Sequence, residues 1–161
     1  MAIRIGFQCH AYYLTTTRAA WSGSATNGIY VGAAPGGLTE LSSIRNATAT
    51  IDNGEADVST RASQGFELTA QALFKWSVDF EIPWDPADAS FTALLGAYLQ
   101  RQSIPVVALD GDKAASGSQG PWADWAVMKF ARDENLDKEV IAQVTLKPTQ
   151  SAVPPQWVKV A

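Results

Sequence analysis

The sequence is poor in the residues that most metal and redox sites require. It contains one cysteine and one histidine among 161 residues. Cys9 has no second cysteine with which to form an intrachain disulfide, and His10 alone gives too few ligands for a zinc site. If residues 9–17 form a strand, the two side chains point to opposite faces and cannot act together as nucleophile and base. We therefore expect no metal, no cofactor and no cysteine-based catalysis.

Charged residues are scarce as well. They make up 17% of the chain, with 16 acidic and 12 basic residues and a net charge of -4, whereas about 25% is usual. No basic tract is present, which argues against a protein that grips the phosphates of nucleic acid. The low charge weakly favours a protein that hides much of its surface in partners; a small soluble domain rich in Ala, Ser and Thr explains it equally well.

Long hydrophobic runs are absent too. No stretch approaches the roughly 18 apolar residues of a membrane-spanning helix, and residues 1–6 lack the apolar run and cleavage site of a signal peptide. We therefore expect no membrane insertion. The length of 161 residues and the hydrophobic content of 47% suit a single domain, residues 1–161, because domains are most often about 100–150 residues long.

The clearest positive signal is a two-faced strand followed by a helix. In the stretch 73–83, large apolar residues alternate with mostly charged residues, as in a strand with one buried face. Asp85 is suited to cap the next helix and Pro86 to begin it, so we expect the helix at about residues 86–102. The apolar strand face comprises Phe74, Trp76, Val78, Phe80 and Ile82, and the apolar helix stripe comprises Phe91, Leu94, Leu95, Tyr98 and Leu99.

Stretches rich in β-branched and aromatic residues predict further strands. We expect them at 9–17, 29–31, 41–51, 67–72, 105–109, 123–131 and 138–147, the last two paired as a hairpin, with an extended arm or edge strand at 1–8. The whole pattern predicts a mainly β protein, a β-sandwich or split barrel flanked by one α-helix.

Two segments have no evident part in a core. The first is a long polar loop at 52–66, and loops of this length in a compact domain are mostly functional or disordered. We interpret it as an arm that docks on another subunit and orders on assembly; a plain solvent loop is the alternative. Its charged residues Glu55, Asp57 and Arg61 are therefore candidate interface residues.

The second such segment is a C-terminal arm at 148–161 that is stiffened by prolines. In it Pro154 and Pro155 precede Trp157, and tryptophan is enriched at the centres of protein interfaces. We interpret Trp157 as an anchor for another subunit, and Pro154 and Pro155 join the candidate interface.

The remaining patterns give little support for catalysis. Asp79 and Glu81 share a strand face, as the carboxylates of a hydrolase would, but a solvated or partner-facing strand explains them better. The sequence Asp110-Gly111-Asp112 lacks the further ligands of a calcium loop. We therefore predict that the protein is not an enzyme.

Six tryptophans raise one alternative, a monomeric carbohydrate-binding β-sandwich module that uses surface tryptophans. The predicted strand and the strand–helix corner account for two of them, Trp76 and Trp84. The other four, which form no evident platform, are Trp21, Trp122, Trp125 and Trp157.

Three stretches, in their order and spacing, resemble one family. They are residues 55–61 (EADVSTR), residues 78–86 (VDFEIPWDP) leading into the helix, and residues 144–149 (VTLKPT) with 154–158 (PPQWV). Together with Tyr12-Tyr13, they make the chain similar to the tail tube (major tail) proteins of long-tailed bacteriophages over most of residues 10–158.

This resemblance implies a structural virion protein. Such subunits form hexameric rings that stack into a hollow tube, and DNA leaves the capsid through its lumen without specific binding. The loop at 52–66 would contact the neighbouring ring, as would the terminal arms. The implied partners are copies of the same chain and other tail proteins, such as tape measure, tail terminator and baseplate or tip proteins. The implied location is the virion tail, after assembly in the host cytoplasm.

Overall fold

The structure is a computed structural model that describes Ile3 and residues 6–161. Over those residues the chain is mainly β with one α-helix, which confirms the predicted fold class. The strands are β1 (His10–Tyr13), β2 (Ala25–Thr26), β3 (Ile29–Gly32), β4 (Thr39–Glu40), β5 (Arg45–Asp57), β6 (Thr69–Pro83), β7 (Ser103–Leu109), β8 (Gln119–Asp133), β9 (Ile141–Pro148) and β10 (Gln156–Val160). The helix is α1 (Ala89–Gln100), and 3-10 turns lie at Gly6–Gln8 and Arg61–Ser63.

The predicted N-terminal arm or edge strand at 1–8 is only partly covered by the structure. Residues 1, 2, 4 and 5 lie outside the described residues. Gly6–Gln8 is a 3-10 turn rather than a strand, so the prediction is wrong there. The strand expected at 9–17 is shorter, since β1 ends at Tyr13.

Strand β8 joins two sheets. One of its edges pairs with β7, and the other edge pairs first with β10 and then with β9, the predicted hairpin partner. The first sheet has the strand order β2-β3-β10-β8-β7-β1-β4. The second sheet starts from β8 and continues through β9 and β6 to β5. The β3–β10 pair is parallel, so the arrangement is mixed. The branching at β8 produces the sandwich-like form that the sequence predicted.

Alternation along the shared strands divides the apolar side chains between two cores. Val106 and Ala123 point into the core on the α1 side, whereas their neighbours Val107 and Trp122 point into a second core on the opposite face. The α1-side core also contains Val78, Phe80, Ile82, Phe91, Leu94, Val144 and Leu146; the opposite core also contains Tyr12, Leu14, Trp21, Leu38, Val158 and Val160. These cores fix the sheets from which the functional segments extend.

Three tryptophans that the sequence left unassigned belong to these cores. Trp122 and Trp125 are fully buried, and Trp21 packs edge-on against Trp122 with ring centroids 6.0 Å apart. The indole nitrogens of Trp122 and Trp125 donate to the carbonyl oxygens of Ala19 (3.2 Å) and Val106 (2.8 Å). These three side chains therefore offer no surface platform, which removes the main support for the carbohydrate-binding alternative.

The helix is shorter than predicted at both ends. Asp88, not Asp85, is its N-cap and accepts from the Ser90 backbone N–H at 3.2 Å. Asp85 instead closes the turn before the helix by accepting from the Ala87 N–H at 3.0 Å, a turn in which Pro86 is equally favoured. The helix ends at Gln100, before the left-handed Arg101.

The apolar helix stripe is buried only at its N-terminal half. Phe91 and Leu94 are buried, and Phe91 packs edge-on against Trp84 and Phe130, with ring centroids 4.9 Å and 5.5 Å away. Tyr98 and Leu99 are exposed, since the stripe runs past the end of the core.

The predicted loop at 52–66 is wrong over residues 52–57. These residues continue β5, and β6 begins at Thr69, so that the predicted strands at 67–72 and 73–83 are one strand. Polar residues can form such a strand because both faces of a two-stranded ribbon can lie in solvent, so no apolar alternation is required. The segment that connects the two strands is residues 58–68.

The C-terminal arm predicted at 148–161 is also wrong in part. Its last residues form β10, which lies between β3 and β8 in the sheet. Gln156, Val158 and Val160 are buried on one face of β10, an alternation that the prolines before it obscured. Only residues 149–155 connect strands without belonging to one.

Candidate functional site

The outer part of the β5–β6 hairpin projects beyond the sheets, and we call residues 52–75 the arm. Strand β6 pairs with β9 only from Val78 to Pro83, so its outer part has β5 as its one neighbour within the described structure. The opposite edge of β5 has no strand partner among the described residues. An isolated two-stranded hairpin is marginally stable in water, so the arm is a part of the chain that gains from an external partner.

The apolar face of the α1-side sheet continues onto the arm. Along β6, the alternation that buries Val78 also places Trp76 and Phe74 on the same face, and Ile51 lies directly opposite Trp76. Phe74 is 72% exposed and Ile51 is 50% exposed, because neither β9 nor α1 reaches this far. An apolar strip therefore continues from the core onto the arm, and no other described residue of the chain covers its outer end.

The base of the arm contacts the C-terminal strand through two tryptophans. The ring of Trp157 on β10 packs edge-on against Trp76, with centroids 6.4 Å apart, and its Nε1 donates to Gln119 Oε1 at 3.2 Å. Trp157 is half-buried, so the chain itself supplies contacts for the predicted interface anchor. Next to this contact, Trp76 Nε1 and Asn53 Oδ1 are buried without a hydrogen-bond partner.

Residues 58–68, which we call the tip, are folded by their own hydrogen bonds. The Thr60 N–H donates to Ser63 Oγ at 2.9 Å, and the Ala62 N–H donates to Thr60 Oγ1 at 3.2 Å, so the two side chains cap a 3-10 turn. At the end of the tip, the Leu68 N–H donates to Ser59 Oγ at 2.9 Å. The tip is thus organised in the single chain, where the sequence predicted a segment that orders on assembly.

The three predicted interface residues of the arm lie in the outer part of β5 and at the tip. Glu55 and Asp57 face Gln71 and Thr69 across the hairpin and are exposed. Hydrogen bonds from Ser59, including its backbone N–H at 2.8 Å, lower the pKa of Asp57 below its ordinary value. Arg61 is exposed and forms no ion pair within the described part of the chain.

The segment that carries Pro154 and Pro155 is held by Arg18, which the sequence analysis missed. The side chain of Arg18 is fully buried, and its Nε donates to Asp124 Oδ2 at 3.0 Å. Its Nη2 donates to the carbonyl oxygens of Val153 and Pro154, the latter at 3.0 Å. Both prolines remain exposed. No sequence signal marks Arg18, because its acceptors lie more than a hundred residues away.

A cleft of about 580 Å³ lies between α1, the residues after β1 and the segment that Arg18 holds; we call it the helix groove. Its helix wall is made of small and polar residues, and Thr15–Thr17 and Gln150–Val153 form other parts of the lining. The helix residues are Thr92, Ala93, Gly96, Ala97 and Gln100. No sequence pattern indicated this groove.

The carboxylates considered for catalysis are engaged in the sheet. Asp79 Oδ1 accepts from Thr145 Oγ1 at 2.6 Å, and Glu81 Oε2 accepts from Asn46 Nδ2 at 3.1 Å. His10 Nδ1 lies 2.5 Å from Glu40 Oε1. The part of the chain that the structure describes contains no group of three or more potential metal ligands and no helix with the length and hydrophobicity of a membrane span.

The chain is similar to known proteins in its fold but not in its sequence. No family model and no curated protein matches the chain. Among solved structures, a chain in the tail of an empty gene transfer agent particle, solved with C6 symmetry, is 10% identical, with a TM-score of 0.64 over 92% of this chain and 96% of that one. A chain of the SPP1 tail tube is 10% identical, with a TM-score of 0.65 over 98% of this chain and 80% of that one.

A third likeness is to a chain in the virion of a native gene transfer agent particle. It is 8% identical, with a TM-score of 0.65 over 96% of this chain and 98% of that one. At this level of identity the likeness establishes the fold, which this chain shares with tail proteins over nearly its whole length.

Proposed function

We propose that this chain is a structural subunit of a phage-type tail tube, assembling with copies of itself into stacked, hexameric rings around a passage for DNA. The fold supports this proposal, since it matches a chain of a C6-symmetric tail over 96% of that chain and a chain of a tail tube over 80% of that chain. The proposal includes no enzymatic activity. Its partners are further copies of the chain and tape measure, terminator and baseplate or tip proteins, in the virion tail after assembly in the host cytoplasm.

The observation that carries the proposal is the arm. Within the described residues its apolar strip is uncovered, and the outer edge of β5, a strand of 13 residues, has no strand partner. Exposed apolar patches and long unpaired edges favour association with another chain. A contact between two different surfaces of identical chains repeats from copy to copy, and it closes into a ring when the rotation allows.

The proposed subunit interface contains Glu55, Asp57, Arg61, Pro154, Pro155 and Trp157. Glu55, Asp57 and Arg61 are exposed on the arm, and Pro154 and Pro155 are exposed beside the helix groove. Trp157 contributes by supporting the arm, because its ring packs on Trp76 at the base of the arm.

Negative-stain microscopy and sedimentation of the purified chain test the proposal. We expect rings or tubes that form above a threshold concentration. Particles that stay monomeric at every concentration, even with tail-assembly partners present, would contradict it.

A charge-matched pair of variants tests the part played by the arm. Arg61→Ala should weaken assembly and leave the melting temperature of the monomer unchanged, because Arg61 is exposed and without an ion pair in the described chain. Lys138→Ala removes the same charge from an exposed turn elsewhere and should leave assembly unchanged. A large loss of monomer stability with Arg61→Ala would show that this residue serves the fold instead.

A further inference from the structure

The direction in which Trp157 points depends on where β10 begins. Gln156 and Val158 are buried on one face of β10, so alternation places Trp157 on the other face, where it packs on Trp76 at the base of the arm. A shift of β10 by one residue would turn Trp157 away from Trp76, because successive side chains of a strand point to opposite faces. The contact between β10 and the arm therefore requires that the start of the strand is held in place.

Residues 149–155, which we call the connector, lead from β9 to β10 and depend on a side chain for hydrogen bonds next to β10. Pro154 and Pro155 have no N–H group, so they cannot donate to a neighbouring strand. The carbonyl oxygens of Val153 and Pro154 accept from Arg18 Nη2 instead. The end of the connector is therefore held by Arg18 and not by the ladder of a sheet.

The short segment from Arg18 to Trp21 holds both the connector and the first residue of β10. Arg18 is fixed by its buried ion pair with Asp124, and its Cζ lies 5.6 Å from the centroid of the Trp122 ring. At the other end of the segment, the Trp21 N–H donates to Gln156 Oε1 at 3.1 Å. Two anchors on either side of the strand's first peptide bonds fix where β10 starts.

We propose that Arg18 and Trp21 are positioning residues for the arm. By fixing the start of β10 they keep Trp157 against Trp76, and this contact sets the direction in which the arm leaves the sheets. The positioning operates in the free chain. Its consequence for assembly, a higher threshold concentration when the arm is displaced, rests on the proposed function.

Arg18→Lys tests this positioning in the monomer. Lysine keeps the positive charge beside Asp124, but its single ammonium group lacks the planar fork with which arginine reaches several acceptors. In NMR spectra, the indole N–H signal of Trp76 should shift in the direction in which Trp157→Ala shifts it. The signal of Trp84, at the strand–helix corner, should stay unchanged.

Proteolysis of the arm gives a second measurement on the same variant. Limited trypsin digestion should cleave after Arg61 at least about threefold faster in Arg18→Lys, because cleavage follows the population in which the arm is displaced. If Arg18 acts through Trp157, Arg18→Lys should give no further acceleration in a Trp157→Ala chain. An acceleration that is the same in both backgrounds would contradict the proposed route.

Val106→Ala is the control for a general loss of stability. Val106 is 1% exposed in the α1-side core and lies outside the route from Arg18 to Trp157. Its truncation destabilises the fold, yet under native conditions the Trp76 signal and the cleavage after Arg61 should remain as in the wild type. The same changes in Val106→Ala as in Arg18→Lys would mean that the arm responds to stability alone, and the inference would be wrong.

Gln156→Met is a second variant, which decides the question if Arg18→Lys does not fold. It removes the acceptor of the Trp21 N–H and keeps a side chain of similar volume, so it should shift the Trp76 signal and accelerate cleavage in the same way. Wild-type signals and cleavage rates in the folded variants would overturn the inference. Loss of the folded state in both variants would overturn it too, because these residues would then hold the whole fold. In either case the tube proposal stands, since assembly of the wild-type chain decides it.

Discussion

The inner and outer halves of β6 differ in what lies against their apolar side chains. Over residues 78–83 the strand pairs with β9 and faces α1, and Val78, Phe80 and Ile82 are almost fully buried. Over residues 69–76 the same strand pairs, among the described strands, with β5 alone, and Phe74 stays 72% exposed on the same face. The pattern of large apolar side chains runs unbroken from Phe74 to Ile82, across the boundary between the two halves.

Because of this difference, we expect the inner half of β6 to contribute to the stability of the monomer and the outer half to contribute to assembly. Burial of a large apolar side chain stabilises the fold by roughly 1.5–3 kcal/mol. The inner half obtains this within the chain, and Trp76 of the outer half obtains part of it by packing against the core. Phe74 can obtain it only from another chain. Substitutions in the two halves should therefore change different measured quantities.

The largest expected effect is that of Phe80→Ala in the inner half. Phe80 is 2% exposed, and loss of such a ring costs about 3–5 kcal/mol, a large part of the roughly 5–15 kcal/mol that stabilises a typical domain. Urea denaturation of the monomer should show a much lower midpoint. Leu73→Ala, in the outer half, should change the free energy of unfolding by less than about 0.5 kcal/mol. Equal losses would mean that the arm belongs to the folded core.

A smaller effect is expected from Trp157→Ala, at the junction of the two halves. Trp157 is half-buried and packs on Trp76, so its loss should cost about 1–3 kcal/mol of unfolding free energy. Because the base of the arm loses its support, limited trypsin digestion should cleave faster after Arg61. Trp157→Phe keeps an aromatic contact and should restore much of the protection. Unchanged cleavage in Trp157→Ala would show that the arm holds its position without β10.

Phe74→Ser should have little effect on stability and a large effect on assembly. Its exposed ring contributes less than about 0.5 kcal/mol to the monomer, but it belongs to the apolar strip that we expect a neighbouring copy to cover. Sedimentation should show a threshold concentration raised by about tenfold or more. Leu136→Ser is the matched control, because Leu136 is fully exposed in a turn away from the arm. Similar assembly by both variants would argue against the strip as an interface.

The fold could be predicted where the apolar residues that form a periodic pattern are buried within the same chain. The strand at Val78–Ile82, the buried start of the helix at Phe91 and the β8–β9 hairpin all follow from local periodicity. The sequence did not distinguish Phe74 from Phe80, because alternation records which face a residue occupies and not what covers that face. Nor did it mark residues 52–57 as a strand, since a ribbon with two solvated faces has no apolar period.

The candidate site was predictable only as a region. The arm was predicted because its polar residues fitted no core, and the C-terminal segment was predicted because it carries Trp157. Arg18 and the helix groove could not be found in this way, since they depend on contacts between residues about 106 to 136 positions apart.

The smallest expected effect is a pH titration that changes the NMR signals of the tip and not those of the inner half of β6. Hydrogen bonds from Ser59 lower the pKa of Asp57 below 3.8. A carboxyl group whose pKa is lower in the folded state stabilises that state above its unfolded pKa, and the contribution is lost as the pH falls through the lowered value. In NMR spectra of the monomer, the Ser59 amide signal should therefore shift with a midpoint below pH 3.8. In Asp57→Asn this titration should be absent, while the signals of the inner half of β6 remain unchanged. A midpoint at or above 3.8 would show that the tip is not folded by these hydrogen bonds in the free chain.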